Sequence, residues 1–402
     1  MQIIYTIGIY CFGLIMRIAS VFNSKAKAWV EGRKNVYKTI PTKIENLIWF
    51  HCASLGEFDQ GLPLMEKLKQ QDPTIFILVT FFSPSGMQHY HKRSHKADLV
   101  MYLPLDTPSN AREFFRHFQP EKAFFVKYEF WSNFIFEAKK NKVLLYNVSG
   151  IFRPKHRYFK WYGGYFRKTL RAFEWFFVQN KESLELLESI GIVNVSISGD
   201  SRYDRVIENK KSASENEILK KFSANTKLLI IGSCWEEDEK ILLPFIQNSI
   251  TKTLIAPHNI DENHIKELQK QYPSAIRYTE YDVNRNYNSN ILILDTIGQL
   301  SNAYLYGEIA YIGGGFSGSL HNILEPAVFG LPVIFGPKHS RFPEAQAFID
   351  NGIGHSVSTS SDFAIAYNAY KENLNTLSLK TEKFILNNKG AADKIVMRLT
   401  SN

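Results

Sequence analysis

The chain has 402 residues, of which 45% are hydrophobic and 22% charged, and its formal net charge is +9. These values are typical of a globular protein and exclude a disordered, collagen-like or heptad-dominated chain, while the length predicts two domains or one large one. Aromatic residues make up 14% of the chain, and together with the positive charge they favour anionic, partly apolar partners. Three cysteines lie far apart without a C-x-x-C pair, so no disulfide framework or zinc knuckle is predicted.

The first 22 residues are predicted to form an apolar helix. Residues 3–16 carry no charge, and Arg17 is the only charged residue before Lys25. The stretch is short for a complete transmembrane span, and its uncharged start argues against a cleaved signal peptide. Five basic residues follow it: Lys25, Lys27, Arg33, Lys34 and Lys38. By the positive-inside rule we expect an anchor or interfacial helix with the rest of the protein in the cytoplasm; the alternative is a buried helix of a soluble enzyme.

After residue 45, apolar runs of strand length alternate with helical patterns. Strands are predicted at residues 47–50, 74–82, 98–105, 123–128, 142–148 and 175–178. Helices are predicted between them, at residues 66–71, 110–118, 133–140 and 182–190. This alternation is typical of β/α units around a parallel sheet.

A second set of apolar runs begins near residue 227. Strands are predicted there at residues 228–231, 253–256, 291–294, 309–312 and 332–335. The polar stretch 207–223 between the two sets predicts a linker followed by a surface helix. The fold class is therefore α/β with two Rossmann-like domains. We predict three parts: an anchor helix at residues 1–22, a first domain at residues 23–206 and a second at residues 207–402.

Two acidic residues lie at predicted strand ends of the first domain, where open α/β sheets bind ligands. Glu57 follows the first strand in the segment 51–57 (HCASLGE), and Glu129 stands in the segment 128–131 (YEFW). Two carboxylates at one site can divide acid and base roles. From the residues alone, periodicity favours Glu57 as a first-turn glutamate stabilised by the helix dipole. For Glu129, a cap of the next helix is an equal alternative.

Residues 151–171 form a basic, aromatic segment that contains no Asp or Glu. Its basic residues are Arg153, Lys155, Arg157, Lys160, Arg167, Lys168 and Arg171. This composition favours a phosphate-bearing amphiphile at a membrane surface. Nucleic acid is the alternative, less favoured because an apolar amino terminus accompanies the segment and no RNA-binding signature does.

The segment 312–326 (IGGGFSGSLHNILEP) predicts a nucleotide site. Its glycines, among them Gly314 and Gly315, let the backbone approach a phosphate closely. Asn322 can donate a hydrogen bond and Glu325 can accept one from ribose hydroxyls, and their three-residue spacing places them on one helix face.

Two further strand ends could contribute to the same site. Gly232 and Ser233 follow the strand 228–231 and offer backbone N–H groups to an anion. The acidic run 236–239 behind them is predicted to be a solvated helix start. The turn 295–300 (DTIGQL) could meet a base or a ribose, although alone it is an ordinary capped helix start.

The motifs and their order along the chain resemble those of the 3-deoxy-D-manno-octulosonic acid (Kdo) transferases of lipopolysaccharide synthesis. These are inverting glycosyltransferases of the GT-B type. The resemblance covers nearly the whole chain. It is carried by residues 51–57 (family H-x-x-S-x-G-E), 129–133 (family E-x-W-P-N), 295–300 (family D-T-x-G-E-L), 321–326 and 335–337. It implies two Rossmann-like domains facing a central cleft, with the acceptor bound by the first and the nucleotide sugar by the second.

The resemblance also implies residue roles. Glu57 would be the catalytic base, Glu129 a second active-site carboxylate, and Arg202 a group that stabilises the departing phosphate. The implied substrate-binding residues are Ser54, Gly56, Ser233, Pro257, His258, Ile297, Gly298, Gln299, Gly314, Gly315, Asn322, Ile323, Leu324 and Glu325.

The chain departs from the family pattern at several of these positions. Arg202 stands where the family has Lys in G-x-x-K-F-D, and Gln299 stands where it has Glu. His258 replaces the Arg of a P-R-H motif and could substitute for it when protonated. The segment 233–236 (SCWE) replaces an S-T-H-E-like run. The donor class is therefore better supported than the individual contacts.

The resemblance implies inverting transfer of Kdo from CMP-Kdo to a phosphorylated glycolipid, a lipid A precursor of the lipid IVA type, at the cytoplasmic face of the inner membrane. No D-x-D motif occurs, so we expect no metal requirement. We also expect no cofactor beyond the donor substrate and no nucleic-acid partner. One alternative is a related GT-B enzyme with a UDP-sugar or ADP-heptose donor. Another is a non-catalytic basic membrane or RNA-binding protein.

Overall fold

The chain divides into two units in the computed structural model, which describes residues 1–34, 36, 37 and 44–400. Unit 1 comprises Met1–Arg205 together with the described residues from Asn388 onward, and unit 2 comprises Val206–Asn387. Each unit contains one sheet of seven parallel strands. The α/β class with two Rossmann-like units, predicted from the alternating pattern, is confirmed. Lys38, one of the five basic residues after the apolar segment, lies outside the described residues.

The sheet of unit 1 has the strand order β3-β2-β1-β4-β5-β6-β7. Its strands are β1 (Leu47–Cys52), β2 (Phe76–Phe81), β3 (Leu99–Tyr102), β4 (Lys122–Val126), β5 (Leu144–Gly150), β6 (Trp175–Val178) and β7 (Val195–Ile197). Trp49 and Phe50 pack into separate hydrophobic clusters and are fully buried. A strand covered on both faces reads as a continuous apolar run, which is why the predicted strands of this half are confirmed.

The sheet of unit 2 has the strand order β10-β11-β9-β8-β12-β13-β14. Its strands are β8 (Leu228–Cys234), β9 (Thr253–Pro257), β10 (Ile276–Arg277), β11 (Ile291–Ile293), β12 (Gly307–Ile312), β13 (Val333–Phe335) and β14 (Gly354–Ser356). The five strands predicted for this half are confirmed. Three strands were not predicted from the sequence: β7, β10 and β14.

Helices accompany both sheets. In chain order they are α1 (Gln2–Ala19), α2 (Ser24–Glu31), α3 (Leu55–Gln71), α4 (Pro84–His89), α5 (Pro108–His117), α6 (Ser132–Lys140), α7 (Gly164–Leu170), α8 (Lys181–Glu188), α9 (Ser201–Ser212), α10 (Glu217–Ser223), α11 (Glu236–Gln247), α12 (Glu262–Gln271), α13 (Leu300–Ala303), α14 (Leu324–Ala327), α15 (Pro343–Asp350), α16 (Ser360–Glu372), α17 (Leu374–Asn387) and α18 (Ala391–Thr400).

The junction between the units differs from the predicted linker. Helix α9 includes the boundary and continues to Ser212, because the residues 201–212 contain no Gly or Pro and are rich in good helix formers. The linker prediction is therefore wrong for the start of the stretch 207–223, whereas the surface helix predicted after it is confirmed as α10.

The carboxyl-terminal helix α18, which the sequence-based division assigns to the second domain, packs in unit 1 against α3. Asp204 accepts hydrogen bonds from the backbone N–H groups of Gly390 and Ala392, at 2.5 and 2.9 Å. Lys67 of α3 forms an ion pair with Asp393 of α18. These contacts join segments almost two hundred residues apart, which a local sequence pattern does not reveal.

Helix α1 has two faces. By length and composition it is apolar enough to cross a membrane, although such a helix is weak evidence of a span. One face carries exposed apolar side chains: Ile3, Ile4, Ile7, Leu14 and Ile18. On the other face, Ile9 and Gly13 are buried against the rest of unit 1. The helix therefore packs on the rest of unit 1 with one face and exposes the other.

Candidate functional site

Glu57 lies at the third position of α3, directly beyond the carboxyl end of β1. It forms a capping box with Ser54, in which the backbone N–H of Ser54 donates to Glu57 Oε2 at 2.9 Å. Its side chain is only 7% exposed. Burial raises the pKa of Glu57, and the positive charge of Lys127 and the N–H groups of Ser54 and Ala53 oppose that rise. The helix-start interpretation of Glu57 is thus confirmed, and it is compatible with a catalytic role.

Glu129 lies near Glu57 in the loop after β4. Burial, and then the negative charge of Glu57, raise the pKa of Glu129 to about 7. Its Oε2 atom is buried and has no hydrogen-bond partner among the residues that the structure describes. Two carboxylates with different environments can hold different protonation states at neutral pH. The structure therefore brings together the two acids that the sequence singled out.

Asp106, not Glu129, caps helix α6. Its carboxylate accepts hydrogen bonds from the backbone N–H groups of Asn133, at 3.2 Å, and Phe134, at 3.0 Å. The capping interpretation of Glu129 is therefore wrong. Asp106 thus accepts from two of the free N–H groups at the start of α6, and Glu129 does not serve as the cap.

A buried hydrogen-bond chain holds the loop that carries Glu129. Trp131 Nε1 donates to His51 Nε2 at 3.0 Å, and His51 Nδ1 lies 2.9 Å from Thr80 Oγ1. Burial and the charge of Arg33 lower the pKa of His51 to about 3. The ring is therefore neutral, and because Nε2 accepts from the indole, the proton is on Nδ1 and is donated to Thr80. This chain fixes the position of Trp131, two residues from Glu129.

Lys127 is a site residue that the sequence reasoning missed. It directly follows β4, with its backbone in the left-handed region at φ 64° and its N–H bonded to the carbonyl oxygen of Val148. Its charge favours the ionised form of Glu57. A charged residue immediately after a buried apolar run is the signal that could have identified it.

Arg202 is the second residue of α9, in unit 1, and pairs with a neighbouring carboxylate. Its Nη2 lies 2.6 Å from Asp200 Oδ2, and its Nε donates to the same atom at 2.8 Å. The guanidinium charge is thus partly neutralised where the structure places it. The phosphate-stabilising role that the resemblance implies for Arg202 stays a prediction.

The basic residues of the segment 151–171 are not equivalent. Arg167 donates to the carbonyl oxygens of Tyr158 and Lys160 at 3.0 and 2.9 Å, so it holds the fold of the segment. Arg157 lies over the ring of Phe166, 4.7 Å from its centroid. Four side chains are exposed: Lys155, Arg157, Lys168 and Arg171. These four are the better candidates for contact with an anionic ligand.

In unit 2 the glycine-rich turn after β12 is held by a buried carboxylate. Asp238 accepts from the backbone N–H groups of Gly314 and Trp235, each at 2.9 Å, and from the hydroxyl of Tyr311 at 2.7 Å. A Cβ atom at Gly315 would overlap the backbone of Gly336, so only glycine fits there. The turn is therefore tightly built, as a close approach to phosphate requires.

The acidic run 236–239 was predicted to be a solvated helix start, which is correct for Glu236 and Glu237 and wrong for Asp238 and Glu239. Asp238 and Glu239 are buried. Glu239 pairs with His264 at 3.0 Å, and Asp238 holds the glycine turn. Because α11 begins directly after β8, its inner face points into the unit, and the last two carboxylates of the run, Asp238 and Glu239, are turned inward.

Trp235 and two histidines form an aromatic stack next to the glycine turn. The rings of Trp235 and His258 are stacked with centroids 4.0 Å apart, and His321 lies 4.8 Å from His258. Trp235 Nε1 donates to His321 Nε2 at 3.2 Å. Burial lowers the pKa of His258, and burial with the neighbouring His258 lowers that of His321 to about 4. The lowered pKa favours the neutral form of His258, and its replacement of the family's arginine charge stays a prediction.

The predicted residues 322–325 comprise two polar side chains that are hydrogen-bonded to each other and two apolar side chains that are buried. Asn322 Nδ2 donates to Glu325 Oε1 at 3.1 Å, and the backbone N–H of Leu324 donates to Asn322 Oδ1. Asn322 thus orients Glu325. The side chains of Ile323 and Leu324 are fully buried, so these two residues support the turn and have no side-chain surface for a ligand.

The predicted turn 297–299 precedes α13. Ile297 is 75% exposed, and Gly298 adopts φ 92°. The side-chain oxygen of Gln299 accepts from Asn216 at 3.2 Å. Pro257 ends β9 immediately before His258. These positions surround the carboxyl ends of the strands of unit 2, where ligands of open sheets bind.

Within the described residues, no group of three or more His, Cys, Asp or Glu side chains lies close enough together to hold a metal ion.

Replacing Glu129 by Gln is expected to stabilise unit 1 at high pH. The pKa of Glu129 in the folded protein, about 7, lies above its ordinary value of 4.5. The folded state therefore binds this proton more tightly, and the associated stability is present below pH 4.5 and lost as the pH rises through 7. We expect the free energy of unfolding of Glu129→Gln to exceed that of the wild type by up to about 3 kcal/mol at pH 8 and by much less at pH 5.

Urea unfolding at the two pH values measures this difference. The exposed Glu182→Gln variant is the control. An equal gain at pH 5 and pH 8 would contradict the assignment of the effect to ionisation of Glu129.

Comparison with known proteins identifies the relatives of this chain. The family model described as 3-Deoxy-D-manno-octulosonic-acid transferase (kdotransferase) matches residues 28–205. The 3-deoxy-D-manno-octulosonic acid transferase of Rickettsia prowazekii (strain Madrid E) is 26% identical over 389 residues, which cover 90% of this chain and 82% of the relative. That of Aquifex aeolicus (strain VF5) is 27% identical over 320 residues, covering 78% and 83%. The resemblance predicted from the motifs is confirmed.

Solved structures show the same fold at low sequence identity. The UDP-GlcNAc 2-epimerase from Neisseria meningitidis, bound to UDP-GlcNAc, superposes with a TM-score of 0.64 at 16% identity, covering 89% of this chain and 99% of that one. MurG from Acinetobacter baumannii gives a TM-score of 0.55 at 10% identity, covering 89% and 100%. The α/β, GT-B-like fold class is therefore confirmed.

Proposed function

We propose that this chain, a glycosyltransferase related to the Kdo transferases, transfers Kdo from CMP-Kdo to a lipid A precursor of the lipid IVA type. The observation that carries the proposal is the pairing of a buried carboxylate, Glu57, with a half-buried one, Glu129, beyond the carboxyl ends of β1 and β4. Both belong to the segment that the family model matches. Transfer proceeds with inversion and uses no metal and no cofactor besides the donor substrate.

Glu57 is the proposed general base. Lys127 and the amides of Ser54 and Ala53 favour its carboxylate form, which can take the proton of the attacking acceptor hydroxyl. The hydroxyl oxygen forms a bond to the anomeric carbon of Kdo while the bond from that carbon to the CMP phosphate breaks. CMP leaves with the electron pair, and the configuration at the anomeric carbon is inverted.

Glu129 differs from Glu57 in having a pKa of about 7. At neutral pH a substantial fraction is protonated, so it can donate a hydrogen bond to a sugar oxygen instead of competing for the same proton. Its unpaired Oε2 is the atom that is free to do this among the described residues. The two acids thus hold distinct roles, one as the base and the other as a substrate contact.

Unit 2 is the proposed donor-binding unit. The turn at Gly314 and Gly315 presents backbone amides to the CMP phosphate, and Glu325, oriented by Asn322, accepts from the ribose hydroxyls. The neutral stack of Trp235 and His258 offers a ring face to the base or the sugar.

The acceptor is proposed to meet unit 1 at the cytoplasmic face of the inner membrane. The exposed apolar face of α1 suits the interface, and the exposed basic residues of the segment 151–171 suit the phosphates of a glycolipid. Neither feature is expected of an enzyme whose acceptor is a small soluble sugar.

Purified protein is expected to release CMP when it is given CMP-Kdo, generated in situ, and a lipid A precursor in detergent micelles with EDTA. Release should depend on the acceptor. Release of UDP or ADP from a UDP-sugar or ADP-heptose instead would favour a related enzyme with another donor. Activity that is lost in EDTA and restored by magnesium would overturn the metal-independent mechanism.

A further inference from the structure

A cavity of about 730 Å³ lies within unit 1 beside Glu129. Helix α1 contributes Tyr5, Ile9 and Phe12 to its lining, and the basic segment contributes Lys155 and Arg157. All of these residues belong to unit 1. One cavity therefore combines an active-site carboxylate, two cationic side chains and the apolar amino-terminal helix.

Helix α1 is fixed to this cavity by a polar contact. The hydroxyl of Tyr5 donates to Asp106 Oδ2 at 2.5 Å, and the backbone N–H of Ser132 approaches the Tyr5 oxygen at 3.4 Å. Asp106 is the residue that caps α6 through Asn133 and Phe134. Tyr5 thus completes the cap of the helix that directly follows the Glu129 loop.

A second contact between α1 and the loop that carries Glu129 is aromatic and starts from Phe12. Phe12 packs on Phe82 with ring centroids 6.1 Å apart, and Phe82 stacks on Trp131 at 4.5 Å. Trp131 is also held by the hydrogen bond that its indole N–H donates to His51. Helix α1 therefore supports the loop at Tyr5 and again at Phe12, whereas a helix that serves only as an anchor needs neither contact.

The lining of the cavity indicates the chemistry of its ligand. Lys155 and Arg157 attract an anion, and the segment that carries them contains no acidic residue to neutralise it. Glu129 Oε2 has no partner among the described residues and can meet a hydroxyl. Aromatic side chains supply flat apolar faces for a sugar ring. A sugar phosphate with a free hydroxyl satisfies all three features.

We propose that helix α1 forms one wall of the acceptor site, that this cavity holds the sugar-phosphate head of a membrane glycolipid, and that Tyr5 positions the Glu129 loop through Asp106. The proposal rests on the proposed transferase function and extends it. Because the opposite face of α1 is exposed and apolar, the same helix can face the membrane while it contacts the lipid head.

Two substitutions, one on each face of α1, test whether this helix forms a wall of the acceptor site. Ile9 lines the cavity and is 8% exposed, whereas Ile15 is 62% exposed and does not line it. Ile9→Trp is expected to raise the KM for the lipid acceptor in detergent micelles at least tenfold and to leave the KM for the donor unchanged. Ile15→Trp is expected to keep the wild-type acceptor KM, since an indole is well tolerated at a membrane interface.

The two outcomes that contradict the proposals are distinct. Wild-type protein that releases no CMP with the lipid acceptor would overturn the proposed function. Active wild-type protein whose acceptor KM is equally unaffected by Ile9→Trp and Ile15→Trp would overturn the role of α1 alone. Unfolding midpoints of both variants show whether a loss of activity reflects a loss of fold.

Tyr5→Phe tests the positioning role without changing the volume of the side chain. It removes only the hydroxyl that completes the α6 cap, so we expect kcat to fall about tenfold, with the donor KM unchanged and the pH dependence of kcat altered. A purely structural role would lower the unfolding midpoint and leave the pH profile as it is. A wild-type kcat and pH profile in Tyr5→Phe would overturn the positioning role.

Discussion

Glu57→Gln is expected to lower kcat by a factor of about 10² to 10⁴, which is the range that a positioned general base contributes. Glutamine has the same shape, and its side-chain oxygen can still accept from the N–H of Ser54, so the capping box is kept. Substrate KM values should change little, because the lost group acts on a proton in the transition state. Steady-state kinetics with lipid acceptor and donor measures both parameters.

The matched control is Glu182→Gln. Glu182 also stands in the first turn of a helix of unit 1, α8, but it is exposed. If a first-turn glutamate matters only through the helix dipole, the two variants should behave alike, with effects of well under 1 kcal/mol in stability. Equal, near wild-type kcat values for both variants would contradict the role of Glu57 as base and would favour a non-catalytic protein.

The same variant tests the coupling of the two carboxylates. The charge of Glu57 is one of the two causes that raise the pKa of Glu129. Removing that charge should therefore move the ionisation of Glu129 to lower pH, although burial continues to raise it. An unchanged Glu129 titration in Glu57→Gln would show that the two side chains do not interact.

The fold was predictable where strands are covered on both faces. Central strands such as β1 and β8 are buried along their length, and such strands read as continuous apolar runs. The three strands that the sequence did not reveal, β7, β10 and β14, all lie at the edges of their sheets and have two or three residues. An edge strand needs less apolar surface, so its sequence carries little signal.

The site residues that directly follow strands were predictable from the sequence. Glu57 and Glu129 follow apolar runs, and the rule that ligands bind beyond strand carboxyl ends selects them. The contact of Tyr5 with Asp106 spans 101 residues of sequence and has no local pattern. In the run 236–239, composition suggested a solvated face, but only the path of α11 decides that Asp238 and Glu239 turn inward.

Asp238→Ala is expected to destabilise unit 2 by about 3 kcal/mol or more, because a buried donor that loses its acceptor costs about 1–3 kcal/mol. Three donors lose their acceptor together: the N–H groups of Gly314 and Trp235 and the hydroxyl of Tyr311. The glycine turn, which this carboxylate holds, would lose its fixed geometry. Protein that remains folded should therefore bind CMP at least tenfold more weakly.

Urea unfolding and calorimetric titration with CMP measure these two effects, and Glu237→Ala is the control. Glu237 is adjacent to Asp238 on α11 but exposed, and a surface substitution of this kind changes stability by about 0.5 kcal/mol or less. The comparison separates the buried hydrogen bonds from the charge of the acidic run, since each variant removes one negative charge. If both variants bind CMP equally well, the turn at Gly314 does not hold the donor phosphate, and the assignment of the donor site to this strand end fails.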